Sequence, residues 1–229
     1  MDNTEELRSV AALAEPARRA LYDYVASQPA PVGREEAAEA TGMTRATAGF
    51  HLDRLLEAGL LETESRRLTG RRGPGAGRPA KLYRRARRDV AVSLPPRRYE
   101  LAAQLLAESV EQALHGGRAL GECLTEAARV RGATLGAAVR ARLRARSSRT
   151  RVLASIGEVL AGEGYEPAVT SGEVTLRNCP FDALADRHRE LVCGMNLDLL
   201  DGMARELSPW QVTAQLEPAD GMCCVRVRA

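Results

Sequence analysis

Four cysteines near the end of this 229-residue chain are the residues whose type could support metal or redox chemistry. Cys179 stands in the run NCPF, Cys193 in LVCGMN, and Cys223 and Cys224 are adjacent. Thiolates are soft ligands that favour iron-sulfur or zinc sites, and an iron-sulfur cluster takes about four of them. These cysteines are therefore candidate ligands that a folded domain would have to bring together.

Simple burial is the alternative explanation, because a free cysteine often packs as a small apolar side chain. If the last strand includes both Cys223 and Cys224, they point to opposite faces and cannot easily bind one metal. His188 is another candidate for a fourth ligand, although it would lie about 140° from Cys193 around one helix. The fifth cysteine, Cys123, is predicted to belong to the core.

A second set of residues has the pattern of a helix-turn-helix. Helices are predicted over 34–40 and 45–58, with Gly42 allowing the tight turn, Thr44 as the N-cap and Gly59 as the stop. The apolar residues that can turn inward are Ala38, Met43, Ala48, Leu52 and Leu55. The predicted DNA-facing residues are Thr44, Arg45, Thr47, Phe50, His51 and Arg54.

That outward face offers what a major groove requires: hydrogen-bonding groups for base edges and phosphates, and an apolar ring for a thymine methyl. Phe50 is the most informative residue, because an aromatic ring exposed among polar neighbours is costly unless something covers it. Taken alone, His51 is explained equally well as a partly packed surface histidine.

Basic residues are concentrated directly behind this window. Residues 66–98 hold 12 arginines and lysines against the single acid Asp89, whereas the whole chain has a net charge of only +3. Such a concentration can neutralise a row of phosphates and release their counterions. A solvated face is the alternative, but the position after a helix-turn-helix favours nucleic acid. The predicted contacts in this stretch are Arg71, Arg72, Arg78, Lys81 and Arg84.

The charge changes sign along the chain. Residues 1–100 have a net charge of +4, residues 101–151 of +5 and residues 152–229 of −6. An acidic C-terminal part makes a poor phosphate-binding surface, so it is predicted to have a different role. The predicted regions are a winged helix-turn-helix domain over 1–95, a helical linker or dimerisation region over 96–148, and a small α+β sensor domain with the cysteines over 149–229.

Hydrophobic periodicity predicts the elements that position these residues. A helix over 4–28 is expected to break near Pro16, and two short strands enclose a Gly-rich loop at 70–79. The fold class is α+β and mostly helical. Further predicted elements are helices over 98–114, 120–130, 135–146 and 152–160, strands at 166–169 and 173–177, a helix over 181–207, and strands at 211–216 and 222–228.

The run TRATAGFHLDRLLEAGLLE resembles the recognition helix of winged helix-turn-helix repressors of the ArsR type, and GRPAKLYR resembles the wing of a subgroup of them. The resemblance implies that Arg78 enters the minor groove, with Lys81 and Arg84 near phosphates. It also implies homodimers on inverted-repeat operators in double-stranded DNA. The apolar helices within 99–146 are the expected dimer surface, with an intramolecular core as the alternative.

The cysteine region resembles the C-terminal domain of the Suf-type iron-sulfur repressors within that group: NCPF, then a His-bearing helix with a cysteine, then a terminal GxC strand. The resemblance implies a 4Fe-4S cluster bound through Cys179, Cys193 and Cys223. The family pattern has a further cysteine between the last two, and this chain has none near Leu207. Cys224 and His188 are therefore the candidates for the fourth ligand.

Together these features predict a dimeric DNA-binding regulator, expected to be a repressor, whose C-terminal cysteines sense iron-sulfur or redox status. The alternative is a regulator whose C-terminal domain binds a small-molecule effector or only dimerises, without a cluster. An enzyme is not expected, because the chain has no phosphate loop, nucleophile elbow or HExxH pattern. A Cys193 nucleophile with His188 as its base stays formally open.

The sequence also indicates where the protein acts. No apolar run approaches the roughly 20 residues that a membrane span needs, so no membrane partner is expected. The start, MDNTEELRSV, is acidic and lacks the apolar region of a secretion signal. A cytoplasmic location is therefore predicted, where structural disulfides are not expected.

Overall fold

The computed structural model describes residues 3–66, 80–219 and 221–229. It has the predicted α+β, mostly helical fold and divides into two compact units, Met1–Val92 and Ser93–Ala229. Among the described residues, no helix is both long enough and apolar enough to cross a membrane.

The N-terminal unit joins a group of helices to a small antiparallel sheet with strand order β1-β3-β2. Its core contains Leu21, Leu52, Leu55 and Tyr83, none of which has exposed surface. In the described residues its elements are α1 (Asn3–Ala12), α2 (Pro16–Ser27), β1 (Val32–Gly33), α3 (Arg34–Ala40), α4 (Arg45–Glu57), β2 (Leu61–Arg66) and β3 (Ala80–Arg85).

Local signals explain the turn between α3 and α4. Gly42 takes a φ of +67°, which favours glycine because a side chain is strained there. The hydroxyl of Thr44 accepts a hydrogen bond from the Thr47 amide at 3.1 Å and so caps α4. Gly59 ends the segment with a φ of +67°. The predicted helix-turn-helix is therefore present.

The C-terminal unit packs helices against an antiparallel sheet with strand order β4-β5-β7-β6. A short 3-10 turn at Ser208–Trp210 precedes β6. The described elements of this unit are α5 (Tyr99–Gly116), α6 (Leu120–Arg140), α7 (Arg149–Gly162), β4 (Pro167–Val169), β5 (Glu173–Leu176), α8 (Asp182–Arg187), α9 (Arg189–Glu206), β6 (Thr213–Leu216) and β7 (Val225–Arg228).

Helices α6 and α9 touch through their backbones. A Cβ atom built on Gly132 would lie 1.9 Å from the Leu199 carbonyl oxygen, and one built on Gly202 would lie 2.3 Å from the Arg129 carbonyl oxygen. Because of this close contact, the predicted helical region 96–148 shares one core with the cysteine-bearing part of the chain. The structure thus joins these two predicted regions in a single unit.

Two helical segments differ from their predictions. The predicted helices over 120–130 and 135–146 are replaced by the single helix α6, which runs through Gly132 and ends at Arg140, so residues 141–146 are not helical. The predicted helix over 181–207 is divided between α8 and α9, because His188 adopts a non-helical conformation with φ −135° and ψ 49°.

Candidate DNA-binding surface and cysteine pocket

The exposed face of α4 carries most of the residues predicted to read DNA. Phe50 is 57% exposed, and the Arg54 guanidinium lies 5.4 Å from the centre of its ring. Thr44 and Thr47 are exposed, and their hydroxyl oxygens are 2.8 Å apart. The opposite face packs into the core through Leu52 and its neighbours. An aromatic side chain and several polar groups therefore share one accessible helix face.

His51 does not share that face as predicted. Its side chain is only 14% exposed, and its Nδ1 lies 3.6 Å from a carboxylate oxygen of Glu15. Glu15 caps α2 by accepting hydrogen bonds from the backbone amides of Ala17 and Arg18. The hydrogen bond from Arg18 lowers the pKa of the Glu15 carboxyl group. One residue after Phe50, the helix has turned by about 100°, which directs His51 to the packed side. The partly packed reading of His51 is the one that matches the structure.

The described cations of this surface all have acidic partners. The ion pairs, with their nitrogen to oxygen distances, are Arg45–Glu35 at 3.0 Å, Arg54–Glu57 at 2.7 Å, Lys81–Asp53 at 2.9 Å and Arg84–Glu62 at 2.9 Å. These side chains are substantially exposed, and exposed ion pairs contribute only about 0–1 kcal/mol. DNA phosphates can therefore displace the carboxylates of the first three pairs, whereas the Arg84 and Glu62 atoms that meet are buried. The predicted contacts Arg71, Arg72 and Arg78 lie outside the described residues.

Replacing Asp53 with asparagine is expected to strengthen binding to random-sequence duplex DNA. Lys81 donates a hydrogen bond to Asp53 at 2.9 Å, and this bond is the main reason why the pKa of Lys81 is raised. Without the carboxylate charge, the ammonium group is available to a phosphate. One added phosphate contact should steepen the slope of log Kobs against log salt concentration by about 0.9, measured by fluorescence anisotropy.

Asp23→Asn is the matched control, because Asp23 pairs with Arg19 on α2 and its replacement changes the net charge by the same amount. A slope that changes equally in both variants would show that total charge, and not release of Lys81, is responsible.

The four candidate cysteines line one cavity of about 380 Å³. It lies among the loop after β5, helix α8, the start of α9 and the loop before β7. Cys223 and Cys224 precede β7 and are not part of it, so strand alternation does not separate them and both line the cavity. The structure thus brings together the four cysteines predicted as ligands, from segments far apart in the sequence.

His188, the other candidate ligand, is exposed at the junction between α8 and α9 and is not among the residues that line the cavity. Cys123 is fully buried in α6, as predicted. The position of His188 outside the cavity favours Cys224 as the fourth member of the set.

Hydrogen bonds and burial keep two of these thiols protonated. The bond to Cys223, followed by burial, raises the pKa of Cys179 well above its usual range. For Cys223 the bond from Cys179 lowers the pKa, but the bond to Cys224 and burial outweigh it and raise the pKa to about 11. A metal that binds here must therefore displace protons, as is usual for thiolate ligands.

Cys223 accepts a hydrogen bond from the buried residue Asn196. The amide nitrogen of Asn196 donates this bond to the Cys223 sulfur at 3.2 Å, and its side-chain oxygen accepts one from the Tyr165 hydroxyl. Asn196 is fully buried and Tyr165 nearly so. Neither residue is predicted from the sequence, although an asparagine within the apolar side of α9 is the signal that could have identified it.

The cavity wall supplies four thiols as possible metal ligands. In the described ranges, no three or more histidine, cysteine, aspartate or glutamate side chains are grouped so that they could hold one metal ion. All four cysteines line one cavity, and four thiolates are the usual ligands of an iron-sulfur cluster. The number and chemistry of the donors therefore suit such a cluster.

Comparison with known proteins identifies one part of the chain. Residues 13–64 match the family model of a helix-turn-helix domain. No significant match was found among curated proteins or among solved structures. The matched residues include all of α3 and α4 and the turn between them. The N-terminal unit therefore contains a helix-turn-helix domain, which supports a DNA-binding regulator.

Proposed function

We propose that this protein is a homodimeric transcriptional repressor that binds an inverted-repeat operator through α4. The exposed face of α4 within a helix-turn-helix carries this proposal, because Phe50 and its polar neighbours have the chemistry of a major-groove contact. No catalytic role is proposed, since helix-turn-helix domains typically serve binding and not catalysis.

Exposed apolar side chains on α5 and α6 support the dimer. The exposed fractions are 42% for Val110, 77% for Leu114, 49% for Leu120 and 59% for Val130. The other faces of these helices contribute to the core. The same helices can therefore form an intramolecular core and also a dimer surface. A dimer would place two recognition helices on two half-sites of the operator.

The cysteine pocket is proposed to hold a 4Fe-4S cluster through Cys179, Cys193, Cys223 and Cys224. When bound, such a cluster supplies a redox-active centre whose loss or oxidation can serve as a signal. Asn196 donates a hydrogen bond to Cys223 and would thereby favour its thiolate form. Regulation requires a change in operator affinity of about 5- to 150-fold between the two states of the pocket.

A small-molecule effector is the second candidate for this pocket. The volume of the pocket, about 380 Å³, lies in the range of small-ligand sites. The pocket is also lined by the charged residues Arg177, Arg189, Asp182 and Asp186. Iron and acid-labile sulfide analysis after anaerobic purification distinguishes the two candidates. Iron-free protein from anaerobic cells would leave the effector version and exclude the cluster.

Phe50→Ala tests the DNA-binding proposal. An operator is first selected from a random DNA pool with the wild-type protein. The variant is expected to lose about 1–3 kcal/mol of preference for that operator over random DNA, since a wrong contact at one base pair costs this much. Competition binding measures the preference. Val10→Ala is the control, because Val10 is an exposed apolar residue of α1. Equal operator preference in the Phe50 variant and the wild type would show that α4 does not read bases.

A further inference from the structure

The first residues of the C-terminal unit are bound to the loop that carries Cys179. The guanidinium of Arg97 donates one hydrogen bond to the Asn178 side-chain oxygen and one to the Cys179 carbonyl oxygen, both at 2.7 Å. It also donates to a carboxylate oxygen of Asp182 at 3.2 Å. A single side chain thus contacts three residues that line the cysteine pocket.

The loop reaches back to the same segment. The Asn178 amide nitrogen donates to the carbonyl oxygens of Pro96, at 3.2 Å, and Gly164, at 2.6 Å. The backbone amide of Arg98 donates to the Pro180 carbonyl oxygen at 2.9 Å. Asn178 is only 6% exposed, so its polar atoms depend on these partners. Residues 96–98 and 178–180 are therefore joined by hydrogen bonds in both directions.

Residues 96–98 follow the N-terminal unit closely in the chain. The N-terminal unit ends at Val92, so residues 93–98 are its direct continuation. Cys179 belongs to the wall of the proposed cluster site, and its own carbonyl group is one of the acceptors of Arg97. A shift of the Cys179 backbone must therefore either move residues 96–98 or break these hydrogen bonds.

We infer that Arg97 and Asn178 are positioning residues that transmit the state of the cysteine pocket to the segment leading from the DNA-binding unit. The inference rests on the proposed function. Ligation of Cys179 fixes its loop, and Arg97 carries this constraint to residues 96–98. Loss of ligation lets the loop shift, and because Arg97 stays bound to it, the segment takes up a second arrangement with it. Such a two-state element is what coupling between separate sites requires.

Arg97 suits this role because its planar fork can bind several acceptors at once. Its side chain is only 18% exposed, and hydrogen bonds at such a site are poorly replaced by water. A lysine keeps the charge, but its single nitrogen cannot reproduce a pattern in which one guanidinium nitrogen binds Asn178 and Cys179 and the other binds Asp182. The geometry of the guanidinium, and not its charge alone, is therefore the feature to test.

The test compares operator affinity with and without the cluster in full-length Arg97→Ala protein purified anaerobically. Arg97 supplies no ligand, so the variant is expected to keep the iron and sulfide content of the wild type and to bind the operator. The ratio of affinities between the cluster-bound and cluster-free forms should fall from the wild-type value, roughly 5- to 150-fold, to near one. Arg97→Lys should give nearly the same loss.

Arg187→Ala is the matched control, because Arg187 is an exposed arginine of α8 whose side chain makes no hydrogen bond or ion pair with the described residues. If Arg97→Ala keeps the wild-type ratio, or loses the cluster itself, the inference is overturned while the proposed function stands. If the wild type binds no cluster, or if its operator affinity does not depend on one, the proposed function fails and the inference fails with it.

A second measurement needs no cluster. Alkylation of Cys179 by iodoacetamide, followed by mass spectrometry in the iron-free chain, reports whether Arg97 holds the loop. Arg97→Ala is expected to accelerate labelling of Cys179, which is partly buried, and Arg187→Ala should not. An unchanged labelling rate in a variant that is folded by circular dichroism would show that Arg97 does not restrain the loop.

Discussion

Gly202→Ala is expected to destabilise the C-terminal unit by about 3 kcal/mol, the upper end of the usual cost of overpacking. The new methyl group would lie 2.3 Å from the Arg129 carbonyl oxygen and 2.7 Å from the Arg129 Cα. These are backbone atoms, so no side-chain rotation relieves the clash, and α6 and α9 must separate. Gly132→Ala should have a similar effect, because its Cβ would lie 1.9 Å from the Leu199 carbonyl oxygen.

Gly194→Ala is the matched control on the same helix. A Cβ at Gly194 meets no heavy atom within 4 Å, so alanine is expected to be neutral or to stabilise the helix by about 0.4–1 kcal/mol. Thermal unfolding followed by circular dichroism measures both variants, with a change of about 2–4 °C in Tm per kcal/mol for a chain of this length. Equal Tm values for Gly202→Ala and the wild type would contradict the close packing of α6 and α9.

The helix-turn-helix could be predicted because its determinants are local. Gly42 and Thr44 fix the turn and the helix start within a few residues, and the apolar spacing of α4 selects its buried face. Such signals are complete within one short window. The same periodicity explains why Phe50 is exposed. Gly49 and Leu52 belong to the buried face of α4, and Phe50 lies on the other face.

The packing of the helices and the partners of His51 and Arg97 depend on contacts between distant segments, which the sequence does not display. The sequence predicts separate helices over 120–130 and 135–146, and the role of Gly132 is visible only when α9 is packed against it. His51 is directed to Glu15 by the way α2 and α4 pack, which no short window contains. Arg97 belongs to the basic stretch 66–98, and its charge gives no sign of its partner Asn178, which lies 81 residues away.

The residues of the cysteine pocket could be predicted from the sequence, but their arrangement could not. Residue type alone identified Cys179, Cys193, Cys223 and Cys224 as candidate ligands, and the structure places all four around one cavity. The objection from strand alternation does not apply, because β7 begins only at Val225. The start of a strand is set by its pairing with neighbours, which the sequence does not display.

Replacing Cys179 or Cys223 with alanine is expected to abolish iron and sulfide binding and the visible absorbance of the anaerobically purified protein. Each change removes a thiolate that four-cysteine ligation requires. Because both thiols have raised pKa values, binding must also displace their protons. Iron and acid-labile sulfide per chain, together with the absorption spectrum, measure the loss.

Cys123→Ala and His188→Ala are the controls, and Cys224→Ala decides the fourth ligand. Cys123 is fully buried in α6, and His188 is exposed outside the cavity, so neither change should reduce the iron content. Cys224 lines the cavity beside Cys223, so its replacement should reduce iron as strongly as that of Cys179. Cluster loss in His188→Ala with full retention in Cys224→Ala would require the segment around His188 to refold on binding, because only then could its imidazole reach the pocket.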